Sequence, residues 1–152
     1  MVNQGVKVAV QAVMAIVILV LGVWLYRSIT EPWEAIERER EVTAMTQERM
    51  SQVRTALVRY ERTEDRFPES LDSLMIWVRS DSVIMANPDS IFESAGFNVD
   101  SLIYSPRTSK EFGYALNDTG RVAIYLLQDP DSDDHIGSEL PDVTLLNAAS
   151  WE

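Results

Sequence analysis

The sequence has no cysteine and one histidine, His135. Without cysteine there is no disulfide framework and no thiol chemistry. That absence suits either side of a membrane. A serine relay would have to use His135, which sits in a loop of aspartates. No GxGxxG, Walker, HExxH or GxSxG pattern occurs. Basic residues are also scarce, 13 against 24 acidic, for a net charge of −11. Residues 1–31 hold Lys7, Arg27 and Glu31, a net of +1, which leaves −12 on residues 32–152. So negative a region repels phosphate backbones and anionic lipid surfaces. No nucleic-acid partner and no catalysis are expected, and the chain is read as not an enzyme.

One long apolar run is present. VAVQAVMAIVILVLGVWLY, Val8 to Tyr26, contains Gln11 as its only strongly polar side chain. As a helix it rises about 28 Å, close to the thickness of a bilayer core. Lys7 and Arg27 bracket it, and Trp24 and Tyr26 lie at one end, as interfacial anchors do. The run is long for a signal-peptide core, and Gly22 to Tyr26 is a poor cleavage site. The remaining chain is too small to wrap the run on all sides. A transmembrane helix is therefore expected. Counts of lysine and arginine do not favour an inside amino terminus.

Trp33 to about Glu64 favours helix, with no glycine and no proline. Pro32 either opens this helix, with Thr30 as its cap, or kinks a continuous one. Val42, Met45, Met50, Val53, Leu57 and Tyr60 form an apolar stripe that fits one helical face. Phe67-Pro68 ends the region. Ser70 then caps a short helix, Leu71 to Val78. Its Leu71, Leu74, Met75 and Val78 are expected to fold back on Val53, Leu57 and Tyr60, with Phe67 as a wedge. Asn87-Pro88 signals a turn, and Gly96 is a candidate helix end. Strands are expected at Ser101–Ser105, Glu111–Leu116 and Arg121–Gln128, with residues 117–120 as a hairpin turn. DPDSDDHIGSELPD reads as a polar loop and VTLLN as a closing strand.

The expected fold class is α+β. An N-terminal transmembrane helix continues into an amphipathic helix packed on a small antiparallel sheet. The expected organisation is a tail at 1–7, a transmembrane helix at 8–26, a membrane-proximal amphipathic helix at 27–64, and a small α+β domain at 65–152 completed by the preceding helix.

The one site-like feature is acidic. Asp129, Asp131, Asp133 and Asp134 fall within six residues. Such hard oxygen donors suit calcium, and the alternation resembles the start of an EF-hand loop. Asp134 then stands where that loop needs glycine, and Leu140 where it needs glutamate. Two readings stay open: an irregular calcium loop using these four aspartates as metal ligands, and a solvated acidic loop.

Ala56, Leu57, Tyr60, Phe67, Pro68, Ser70, Leu71 and Leu74 resemble the passage that closes the long helix in type IV pilins and in the major pseudopilin of type II secretion. The sequence departs from prepilins where Gly5 precedes Val6 and Val10 takes the place of glutamate. Tyr26, Ser28, Ile29 and Pro32 resemble the membrane exit of a group of small single-span proteins of the Bacteroidota. Val53, Arg54, Ala56, Tyr60, Leu71, Asp72, Leu74, Trp77 and Val78 match that group too, as does VDSLIYSP at 99–106. The pilin resemblance implies a pilin-like structural or scaffolding subunit of a cell-envelope assembly. It also implies an anchor in the inner (cytoplasmic) membrane and a periplasmic soluble domain. Partners would be other membrane or envelope proteins, with self-association through the helical region. The pseudopilin family carries an acidic calcium loop late in the chain, for which residues 129–134 are the counterpart. Alternatives are an accessory single-span subunit of another membrane complex and a calcium-dependent binding domain.

Overall fold

A computed structural model describes residues 4–94, 97–140 and 142–152. The fold is α+β, with a long N-terminal helix followed by short helices and a three-stranded antiparallel sheet. Helix α1 runs Gln4–Glu64, so no new helix begins at Pro32. The chain divides into two units, residues 1–41 and 42–152.

The described part of the first unit is helical. The apolar side chains described in it are exposed; Leu19 and Tyr26, for example, are each 70% accessible. An 18-residue window has mean hydropathy 2.7 and none of it is buried, so the helix is long and apolar enough to cross a membrane. Glu34 and Arg38 pair one turn apart at 3.6 Å.

The second unit has a core of its own. Residues 42–64 of α1 supply Met50, Val53, Ala56, Leu57 and Tyr60. The buried face differs from the expected stripe at one turn. Thr46 is buried and Met45 is 45% exposed. The spacing 46, 50, 53, 57, 60 keeps a tighter helical face. Thr46 tolerates burial because its hydroxyl donates to Val42 O at 2.8 Å.

α1 ends with Asp65 in the left-handed region (φ 57°), its N–H bonded to Glu61 O at 2.8 Å. Phe67 and Pro68 are buried, and the chain turns back. α2 (Leu71–Ser80) is capped by Ser70, whose Oγ accepts from Ser73 N at 3.2 Å. Its Leu71, Leu74, Met75 and Val78 join the core with Val53, Leu57 and Tyr60. The Trp77 ring lies edge-on to Tyr60, centroids 5.2 Å apart, and its indole N–H reaches Glu64 at 3.2 Å. α3 (Ser82–Ala86) and α4 (Pro88–Phe92) follow, with Asn87 between them. Phe92 stacks on Phe97 with centroids 4.0 Å apart. Gly96 lies outside the described residues.

Strands β1 (Gly113–Asn117), β2 (Ile124–Gln128) and β3 (His135–Gly137) form a meander in that order. Tyr114 pairs with Leu127, and Leu127 with Ile136. Three expectations need correction. Ser101–Ser105 is not a strand: a 3₁₀ turn covers Val99–Ser101 and only Tyr104 bridges to Glu111. VTLLN is not a closing strand either, since Val143–Leu145 is also a 3₁₀ turn. The third strand comes instead from HIG, inside the stretch read as polar loop. Glycine explains part of this. At Gly137 φ is +87°, and a Cβ would lie 2.1 Å from Tyr125 O.

Candidate functional site: the acidic loop and its cationic partners

The β2–β3 connection begins where Asp129 leaves the sheet. Its N–H bonds Asp134 O at 3.0 Å, which closes the loop on itself. Pro130 and Ser132 tighten the turn, and Ser132 Oγ donates to Asp129 Oδ2 at 2.8 Å. This brings the four sequence-predicted aspartates into one turn. It does not bring their carboxylates together.

The Asp129 side chain is wholly buried and stands 3.7 Å from Arg107 Nε. Arg107 also donates to Thr43 Oγ1 on α1 at 2.9 Å. Asp129 Oδ1 and Arg107 Nε are buried without a hydrogen-bond partner. Asp131 turns the other way. It accepts from Lys110 Nζ at 2.6 Å and from the Thr108 hydroxyl. These two donors, Lys110 foremost, hold its carboxyl below the usual range. Asp134 accepts from Gln47 Nε2 on α1, at 3.4 Å to each oxygen. Asp133 is exposed, and its carbonyl faces His135 Nδ1 at 2.9 Å.

Calcium binds six to eight oxygens gathered on one point. Here three carboxylates serve Arg107, Lys110 and Gln47 separately. Among the described residues, no three acidic, histidine or cysteine side chains form a group able to hold a metal ion. The orphan oxygen of Asp129 is a single donor. The arrangement fits internal cations better than a bound one. What it does is join the 105–110 turn, the β2–β3 loop and the α1 face at Thr43 and Gln47.

His135 does not sit in a loop as expected. It opens β3, half-buried, with its main-chain N–H on Ser150 Oγ at 3.0 Å. Its Nδ1 is occupied by the Asp133 carbonyl. The aromatic residues at 112, 114 and 125 are core or core-packed, whereas Tyr104 is 41% exposed.

Sequence reading did not anticipate the cations. Lys110 and Arg107 lie more than nineteen residues from the aspartates they meet, so no local pattern announces them. A second feature was also missed. Arg54, Arg59 and Arg62 share one side of α1 along an open groove of about 750 Å³. Arg54 donates to Asn147 O and Glu152 Oε1, each at 3.0 Å, and Arg59 pairs with Asp81 at 3.1 Å. Helical spacing of three to five residues was the available signal.

No family model, curated protein or solved structure matches the chain.

Proposed function

We propose that the chain is a membrane-anchored structural subunit of a cell-envelope assembly, pseudopilin-like in architecture and without a catalytic role. The observation that carries the reading is the division of labour along α1. Its first part exposes an unbroken apolar surface, and residues 42–64 bury their apolar face in a separate core. The first part matches a lipid solvent and the second a folded one. The hinge at Phe67-Pro68, followed by a capped helix and a small sheet, adds to the pilin-like layout.

On this reading residues 8–26 hold the chain in the inner membrane. The acidic second unit stands on the periplasmic side and docks against other envelope proteins. Its net negative charge suits a protein partner rather than a lipid surface.

In-membrane photo-crosslinking from positions 33–60, with captured partners identified, tests this. Self-contacts at regular helical spacing, or capture of pilus or secretion components, support it. Crosslinks confined to positions 12–22 and directed to an unrelated membrane complex would make the chain an accessory subunit instead.

A further inference from the structure

The second unit is strongly acidic, yet its cations are unevenly spread. Residues 42–152 hold nine basic side chains against nineteen acidic ones, a net of −10. Three of the nine, Arg54, Arg59 and Arg62, line the open groove on α1, and no acidic residue lines it with them. Val58 on α1, Ile91 on α4 and Asn147 are also in its lining. Val58 and Ile91 are half-buried, and Ile91 packs against the core, so apolar surface lies among the cations.

The three arginines are not equally free. Arg59 is held by Asp81 at 3.1 Å. Arg54 holds the Glu152 carboxylate at 3.0 Å, and that glutamate side chain keeps 54% of its surface accessible. Arg62 is exposed and has no partner among the described residues. One carboxylate is therefore already bound at Arg54, and an unmatched cation stands at Arg62. Arg54, Val58 and Arg62 form one i, i+4 row, whose outer members lie about 12 Å apart along the helix axis.

We propose that this groove docks an extended acidic segment of a partner protein, with the pattern acid–x–apolar–x–acid. Four residues of extended chain rise about 13 Å, and alternate side chains share a face. The two acids of such a segment match Arg54 and Arg62, and the apolar residue between them matches Val58 and Ile91. Guanidinium groups suit this task, because their paired N–H donors fit a carboxylate.

Charge complementarity selects this occupant. At physiological ionic strength charges are screened beyond about 8 Å, so a segment lying on the arginines meets them rather than the net charge of the unit. Glu152 is the internal competitor, and an incoming acid displaces it from Arg54. The inference deepens the reading of the second unit as a protein-docking unit. It rests on that reading for the choice of a protein segment over a free anion.

The test is fluorescence anisotropy of a labelled peptide, Ser-Glu-Ser-Leu-Ser-Glu-Ser, titrated with the full-length chain in phosphatidylcholine nanodiscs. The peptide should bind, less tightly as salt rises, and its counterpart with glutamine for glutamate should not. Arg62→Glu should weaken binding at least about tenfold with an unchanged melting curve, since Arg62 is exposed. Glu152→Gln should strengthen binding by releasing Arg54. Equal binding of the glutamine peptide, an unaltered affinity in Arg62→Glu, or no binding of the acidic peptide overturns the proposal. So does Arg62-dependent binding to anionic lipid vesicles in place of the peptide, which would make the groove a headgroup site. Arg62-dependent dimerisation in place of peptide binding would make the occupant a second copy and overturn it too. The titration needs no assembly, so its failure strikes the groove alone, whereas failed crosslinking along α1 strikes the subunit reading.

Discussion

Arg107 and Asp129 form a buried pair at 3.7 Å that ties the acidic loop to Thr43 on α1. Removing one partner strands the other in a poorly solvated place. Asp129→Ala should therefore cost about 3–5 kcal/mol. Arg107→Met should cost at least as much, because it strands the wholly buried Asp129 carboxylate, whereas a stranded Arg107 keeps 22% of its side chain accessible. The double variant Asp129→Ala with Arg107→Met should lose less than the two single losses added together. Urea unfolding of all four proteins measures the coupling. Strict additivity would mean that the pair is not coupled.

Leu57 is fully buried at the centre of the face that α2 folds onto. Leu57→Ala should lose about 2–5 kcal/mol through lost transfer energy and the cavity it leaves. A polar residue there should cost at least as much. A loss under about 0.5 kcal/mol is below any core truncation and would contradict the packed hinge.

The pH profile should fall at both ends. Burial pushes the Asp81 carboxyl up, but bonds from Val83 N–H, Arg59 and Ile84 N–H outweigh it and leave the group below its ordinary 3.8. Its contribution is present above that value and is lost as pH falls through the lower folded one. Burial also raises the Tyr114 and Tyr125 hydroxyls from 10.0. A raised acid favours the folded state while protonated, so this contribution is present below pH 10.0 and is lost as pH rises further. Asp81→Asn should flatten the acid limb, and Tyr125→Phe the alkaline limb. The Tyr125 variant also loses its bond to Asn147 Oδ1, 2.7 Å in the native chain, at all pH values. Melting temperature across pH reads both limbs. Unaltered limbs in these variants would contradict the assignments.

Calcium should leave the melting temperature unchanged at millimolar concentration, because Lys110 and Arg107 already serve Asp131 and Asp129. Binding at a hundred times the dissociation constant would add about 2.7 kcal/mol of stability. A gain of that order that disappears in Asp131→Asn and Asp133→Asn would favour the calcium reading instead.

The helical part of the fold was legible because its signals are local. The apolar run, the Ser70 cap and the α2 face all follow from spacing within a few residues. The sheet was less so. Strands β1 and β2 carry alternation and a turn between them, whereas β3 is three residues long and is set by Gly137 and by the segment at 148–150. VTLLN is apolar enough for a strand but forms a 3₁₀ turn. The acidic loop was visible as a cluster, and its consequence was not. That three of the four aspartates are engaged by Arg107, Lys110 and the Gln47 amide is set by partners that only the tertiary fold brings near.

The most direct measurement is aqueous maleimide labelling of single cysteines placed one by one from Val8 to Tyr60, in intact cells and in opened membranes. A spanning anchor predicts no labelling across 8–26 in either preparation. It also predicts labelling at exposed positions such as Thr55 from the periplasmic side in intact cells. Labelling throughout 8–26, or release of the labelled chain from membranes at high salt, would contradict a membrane-anchored subunit.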